Sequence, residues 1–77
     1  MTFGEYLKLQ MNNLEIGQTQ VMEHCNVSKT SVSKWMNNYV LPNIVAWHSL
    51  AVLLSSRSQL PLSQQLLEMS ETLPINQ

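Results

Sequence analysis

Apolar residues recur along this chain at intervals of three and four positions, the spacing that places them on one face of a helix. The first such stripe consists of Phe3, Leu7, Met11 and Leu14. Thr2 and Glu5 have the spacing of a capping box, in which each side chain satisfies a backbone N–H at a helix start. Gly17 is predicted to break the helical pattern or to cap the helix that follows it, a second and shorter helix over residues 18–25. The apolar face of this helix comprises Val21, Met22 and Cys25.

A tight turn and a third helix are predicted next. Asn26 tolerates the left-handed conformation that a tight turn after a helix needs, and Val27 can anchor the turn in the core. Ser28 is a good N-cap for the third helix. The pair Asn37 and Asn38 reads as a stop, so this helix should end at about Asn37.

Two more helices complete the pattern. After a short connection over residues 39–42, Asn43 caps a fourth helix with a wide apolar face of Ile44, Trp47, Leu50, Ala51 and Leu54. Residues 55–59 are polar and are expected to form a loop. Pro61 suits the first turn of a fifth helix, Pro74 ends it, and its stripe consists of Leu62, Leu66, Met69 and Leu73. No strand pattern competes, so the prediction is an all-α fold with five helices.

The third helix has two chemically different sides. Because successive helical residues are rotated by about 100°, Val32 and Trp35 fall together, with Met36 at their edge. These positions should face the core. The opposite arc holds Lys29, Thr30, Ser33, Lys34 and Asn37. Every residue on this arc can donate hydrogen bonds and none is acidic, which favours an anionic partner rich in acceptors.

Composition limits the class of protein. The 77 residues are enough for one small domain, residues 1–77, and the hydrophobic fraction of 44% suits a folded globule. Charged residues make up only 12% and the net charge is −1, so bulk charge argues weakly against nucleic acid and only local placement could reverse this. A lone cysteine, Cys25, cannot form an internal disulfide, which indicates a cytosolic protein. We expect no signal peptide, because the N-terminus has no basic flank leading into an apolar run, and no membrane span, because the longest apolar-leaning stretch, residues 44–54, is too short.

Candidate catalytic chemistry is weak. Glu23, His24 and Cys25 are adjacent, but neighbours on a helix point about 100° apart and cannot converge on one substrate or metal. Paired carboxylates, a phosphate-cradling glycine loop and a nucleophile–base arrangement are all lacking in the sequence. We therefore expect no enzyme activity, no metal, no cofactor and no small-molecule ligand.

The chain resembles the helix-turn-helix domains of phage Cro and repressor proteins, the XRE family. The resemblance covers about residues 3–54 and is carried by Ile16-Gly17-Gln18, Val21-Met22, Asn26-Val27-Ser28, Val32, Trp35 and Pro42-Asn43. The chain departs from the family pattern at three positions: Gly17 replaces a usual serine, Met22 a usual alanine and Asn26 a usual glycine. The resemblance implies a compact five-helix bundle of the lambda-repressor-like type, with helices two and three as the helix-turn-helix.

The resemblance also implies roles for individual residues. The third helix would enter the major groove, where Lys29, Thr30 and Lys34 would reach base edges. Three serines, Ser28, Ser31 and Ser33, would lie near the DNA backbone or bases. Phosphates would be contacted by Gln18, by Asn37 and by Asn38 or Tyr39. Relatives carry more Lys and Arg after this helix, whereas this chain has Tyr39, Val40 and Leu41. Electrostatic affinity for DNA should therefore be modest.

The fifth helix is open to two interpretations. Its stripe can close the monomer core, or it can supply a dimer interface within residues 60–73, and both can hold at once. The leucines exceed what one small helix usually buries, which favours an interface formed by Leu62, Leu66, Met69 and Leu73.

These observations predict a dimeric, sequence-specific DNA-binding regulator, a Cro-like repressor that occupies an inverted-repeat operator. Its partner would be double-stranded DNA, and its setting the cytoplasm of a bacterial or phage-infected cell. The alternative is a protein-binding module on the same scaffold, such as an antirepressor or antitoxin. The low positive charge and the leucines after Arg57 favour that alternative.

Overall fold

A computed structural model describes residues 1–73, and most of them are helical. The five helices are α1 (Phe3–Asn13), α2 (Gln18–Cys25), α3 (Lys29–Met36), α4 (Ile44–Ser58) and α5 (Leu62–Ser70). Between residues 1 and 73 there is no strand. The predicted all-α class and the number of helices are confirmed. No helix within residues 1–73 is long and apolar enough to cross a membrane.

Three of the helices begin after a residue whose side chain caps the helix N-terminus. Thr2 Oγ1 accepts the Glu5 N–H at 3.2 Å, and Glu5 Oε1 accepts the Thr2 N–H at 2.9 Å, so the capping box is confirmed. Ser28 Oγ accepts the Ser31 N–H at 3.2 Å at the start of α3. Asn43 Oδ1 accepts the Ala46 N–H at 2.9 Å at the start of α4. Each bond satisfies an N–H that a helix leaves without a partner.

Two helix ends differ from their predictions. The prediction of a loop over residues 55–59 is wrong, because α4 continues to Ser58. The helix ends where Gln59 adopts a φ of 66°. The serine hydroxyls do not disrupt the helix, since Ser56 Oγ donates to the Leu53 carbonyl at 2.8 Å and Ser55 Oγ to the Leu60 carbonyl at 2.6 Å. Helix α5 ends at Ser70 rather than near Leu73. The role predicted for Pro74 lies outside the described residues.

The core contains the predicted faces of α1 to α3 and, in α4, the predicted face without Ile44. Among its buried members are Phe3, Leu7, Met11, Val21, Cys25, Val32 and Trp35. In α4, Leu50, Ala51 and Leu54 are buried as predicted, and half-buried Trp47 stacks on Phe3 with ring centroids 5.0 Å apart. Ile44, however, is 83% exposed, and Ala46 and Leu53 are buried instead. Ile44 lies seven residues before fully buried Ala51, on nearly the same side of the helix, so its exposure depends on which elements pack against the first turn of α4 and not on helix register.

The end of α3 is fastened to the start of α1. Asn38, with a left-handed φ of 63°, accepts the Gly4 N–H on Oδ1 at 2.8 Å and donates from Nδ2 to Thr2 Oγ1 at 3.0 Å. A Cβ on Gly4 would collide with the Met36 carbonyl oxygen, so only glycine permits this close approach. These contacts fix the orientation of α3 relative to α1.

A buried polar group joins α5 to α1. Gln65 is completely buried, and its Nε2 donates to Tyr6 Oη at 2.6 Å. The Tyr6 hydroxyl in turn donates to Glu68 Oε1 at 3.1 Å. The pKa of Tyr6 is raised from 10.0 to about 12, chiefly by burial; the Gln65 hydrogen bond opposes this shift and the Glu68 carboxylate adds to it. The neutral phenol is therefore the form that the fold stabilises.

Alkaline pH should weaken the fold through Tyr6. Because the folded-state pKa lies above the ordinary value of 10.0, the stabilisation is complete below pH 10 and is lost as pH rises through about 12. Urea unfolding of the natural chain should show this loss, and the loss should be smaller in Tyr6→Phe. The matched control is Tyr39→Phe, which changes an exposed phenol. Identical pH dependence of the natural chain and Tyr6→Phe would contradict the assignment.

Candidate functional site

Helix α3 is held by one face and presents the other to solvent. Val32 is fully buried and Trp35 is 4% exposed, which confirms the predicted core side of the helix. On the opposite arc Lys29, Thr30 and Lys34 are exposed, and Ser33 is half-buried. The basic and hydroxyl side chains thus stand on a helix that the core keeps from rotating.

Four residues of this arc meet a fifth from the connection that follows it. Together Lys29, Thr30, Ser33, Lys34 and Tyr39 line a shallow surface depression. The stretch of sequence that contains these five residues, 24–67, has no Asp or Glu. Two ammonium groups beside hydroxyls, without nearby acids in the sequence, suit an anion that offers several acceptor oxygens.

The two serines at the start of α3 are used by the helix itself. Ser28 Oγ accepts the Ser31 N–H and donates to Ser31 Oγ at 3.2 Å. Ser28 is exposed and Ser31 is half-buried. Their first role is to cap α3, and any contact with a ligand would be made from that capped geometry.

The two asparagines after α3 have different surroundings. Asn37 is exposed and donates from Nδ2 to the Ser33 carbonyl at 2.9 Å, on the same side as the lysines. The Asn38 amide is engaged at both ends by Thr2 and Gly4. Asn38 is therefore better suited to positioning α3 than to contacting a phosphate, the role predicted for it.

Gln18, the predicted phosphate contact of α2, is half-buried at the first position of that helix. Its Oε1 is buried and accepts no hydrogen bond from residues 1–73. The turn that joins α2 to α3 has the predicted form, because Asn26 adopts φ 56° and ψ 50°. Val27 is half-buried against the core, as expected for the residue that anchors this turn.

The predicted dimer residues of α5 lie mostly inside the monomer. Met69 is completely buried and offers no surface to a partner. Leu62 and Leu66 are half-buried against the core, and Leu73 is half-buried after the helix ends. The exposed apolar residue of α5 is Leu67, at 51%. The stripe therefore packs against the monomer core, and the dimer interface predicted on it stays a prediction.

Sequence reasoning missed an exposed apolar surface beside α3. Its members, called the 39–45 patch below, are Tyr39, Val40, Leu41, Ile44 and Val45, with exposures from 41% for Leu41 to 83% for Ile44. The sequence pattern predicts only a connection over residues 39–42, and it places Ile44 in the core. The register of α4 gives no signal for Ile44, because a helical wheel places it on the same side as fully buried Ala51, seven residues later.

The one cysteine of the chain, Cys25, does not supply a reactive thiol to this site. Cys25 is a buried free thiol whose pKa is raised by burial, and its Sγ lies 4.0 Å from the Ala46 carbonyl oxygen. A raised pKa keeps the thiol protonated and unreactive. In the described part of the chain no three His, Cys, Asp or Glu side chains are grouped so that they could hold a metal ion.

No family model matches the chain, and comparison with curated proteins and with solved structures likewise gives no match.

Proposed function

We propose that the protein is a sequence-specific DNA-binding regulator of transcription, with α2 and α3 as a helix-turn-helix of the lambda-repressor-like type. The observation that carries the proposal is the exposed face of Lys29, Thr30 and Lys34 on a helix whose other face is buried. The left-handed turn at Asn26 and the Ser28 cap, which join α2 to α3, support it.

The chemistry of α3 suits base edges in the major groove. An α-helix fits that groove, lysine ammonium groups pair with the O6 and N7 acceptors of guanine, and the threonine methyl can contact thymine. Val32 and Trp35 hold the helix from the core side, and Asn38 holds its end against α1. Rigid support of this kind keeps the base-contacting side chains in register.

Electrostatics makes a dimer necessary in this proposal. The chain has only four Lys and Arg residues and a net charge of −1, so few phosphates can be neutralised per copy. One recognition helix reads only a few base pairs. Two copies related by a two-fold axis would double the readout and would recognise an inverted repeat with half-site centres about 34–36 Å apart. Occupation of such an operator would repress transcription by excluding polymerase.

Selection from a random duplex library, followed by gel-shift measurements, tests the proposal. We expect enrichment of one inverted-repeat sequence and a gel shift with the DNA that flanks the gene. The double variant Lys29→Ala/Lys34→Ala is the control, and it should enrich nothing. If the natural chain also enriches no sequence at low salt, the proposal fails.

A protein-binding module, such as an antirepressor or an antitoxin, is the second candidate. The exposed apolar 39–45 patch and the net negative charge favour it. It predicts a stable complex with a different protein and no sequence selection from the library, so the same experiment separates the two functions.

A further inference from the structure

The 39–45 patch is large for a chain of this size. Its five side chains lie within seven consecutive residues, in the connection after α3 and the first turn of α4. Their exposed fractions correspond to roughly 500 Å² of accessible surface, on the scale of the largest apolar patches that monomeric proteins carry. Patches of this size commonly mark an interaction site.

We infer that the 39–45 patch is the surface through which two copies of this chain pair. Residues 39–45 contain no charged side chain, so no charge within the patch itself opposes a second copy. Two such patches would bury about 1,000 Å² in total, close to the lower limit for a specific interface. A micromolar rather than a nanomolar dimer is expected from an area of this size.

The stripe of α5, the other candidate interface, has less exposed apolar surface than the 39–45 patch. The stripe of α5 is used in the core, with Met69 fully buried and Leu62 and Leu66 packed against it. Leu67 stands alone as the exposed apolar residue of that helix. The 39–45 patch therefore offers a self-associating protein far more apolar surface than α5 does.

The position of the patch connects pairing to the proposed function. Tyr39 belongs both to the patch and to the depression lined by Lys29 and Lys34. Pairing at this edge would place one lysine face on each side of the two-fold axis. Only this last step rests on the proposed DNA binding, because self-association itself requires no DNA.

Sedimentation equilibrium of the full chain, from low micromolar to near-millimolar concentration, tests the inference. The natural chain should dimerise, and Ile44→Glu and Val45→Glu should each weaken dimerisation at least about tenfold, because a charge would be buried without a partner. Neither change should harm folding, since both sites are exposed and a carboxylate in the first turn of α4 is favourable. Leu67→Glu is the matched control on α5 and should leave the dimer intact. Thermal unfolding checks that all three variants are folded.

Several results would overturn the inference. If the natural chain stays monomeric at every concentration, the patch does not pair two copies of this chain. Dimers that survive Ile44→Glu and Val45→Glu, or that dissociate only in Leu67→Glu, would place the interface elsewhere. The proposed function fails separately: a dimer sensitive to Ile44→Glu that selects no DNA sequence contradicts DNA binding alone, whereas a monomer that selects an operator contradicts the interface alone.

Discussion

Replacing Trp35 with alanine is expected to remove a large share of the protein's stability. Trp35 is 4% exposed on the face of α3 opposite the lysines, and truncation of a buried tryptophan costs about 3–5 kcal/mol. A domain of this size has only about 5–10 kcal/mol of stability in total. Urea unfolding followed by circular dichroism should show a midpoint far below that of the natural chain.

Tyr39→Ala is the control for this result. It also removes an aromatic ring, but the ring is 77% exposed, and surface substitutions usually change stability by less than about 0.5 kcal/mol. A Trp35→Ala protein that melts normally yet no longer binds DNA would show that Trp35 acts at the surface.

Replacing Lys34 with alanine is expected to relax sequence preference without unfolding the chain. Lys34 is exposed, and loss of a base contact from α3 costs roughly 1–3 kcal/mol, about 5- to 150-fold in affinity. The loss should be confined to particular base pairs of the operator. Lys29→Ala and Thr30→Ala should behave in the same way at other positions. Binding to a panel of single-base operator variants measures the effect.

Two kinds of control variant accompany this experiment. Lys8→Ala, at an exposed lysine of α1, removes the same charge away from α3 and should leave base preference unchanged. Gln18→Ala and Asn37→Ala should weaken specific and non-specific binding alike, as expected for phosphate contacts. If Lys34→Ala keeps the natural preference at every operator position, Lys34 does not read bases.

The places where sequence reasoning failed share a physical cause. The serines of α4 looked like loop residues, yet their hydroxyls bond to nearby carbonyls while Leu53 and Leu54 are buried beside them. Gln65 was overlooked in α5, although it is completely buried and bonded to Tyr6, 59 residues away in sequence. Asn38 follows the end of α3, as the predicted stop signal requires, but its hydrogen bonds to Gly4 and Thr2 at the start of α1 join residues 34 and 36 positions apart and were not predicted. In each case the deciding neighbour is set by packing rather than by the local pattern.

The sequence by itself determined the five helices, their caps at Thr2, Ser28 and Asn43, and the two sides of α3. These features depend on residues within about four positions of one another, so a linear pattern contains them. Tertiary structure alone decided that Met69 closes the core and that Ile44 remains outside it. Burial depends on which elements pack together, and an apolar side chain looks the same in the sequence whether it faces the core or a partner.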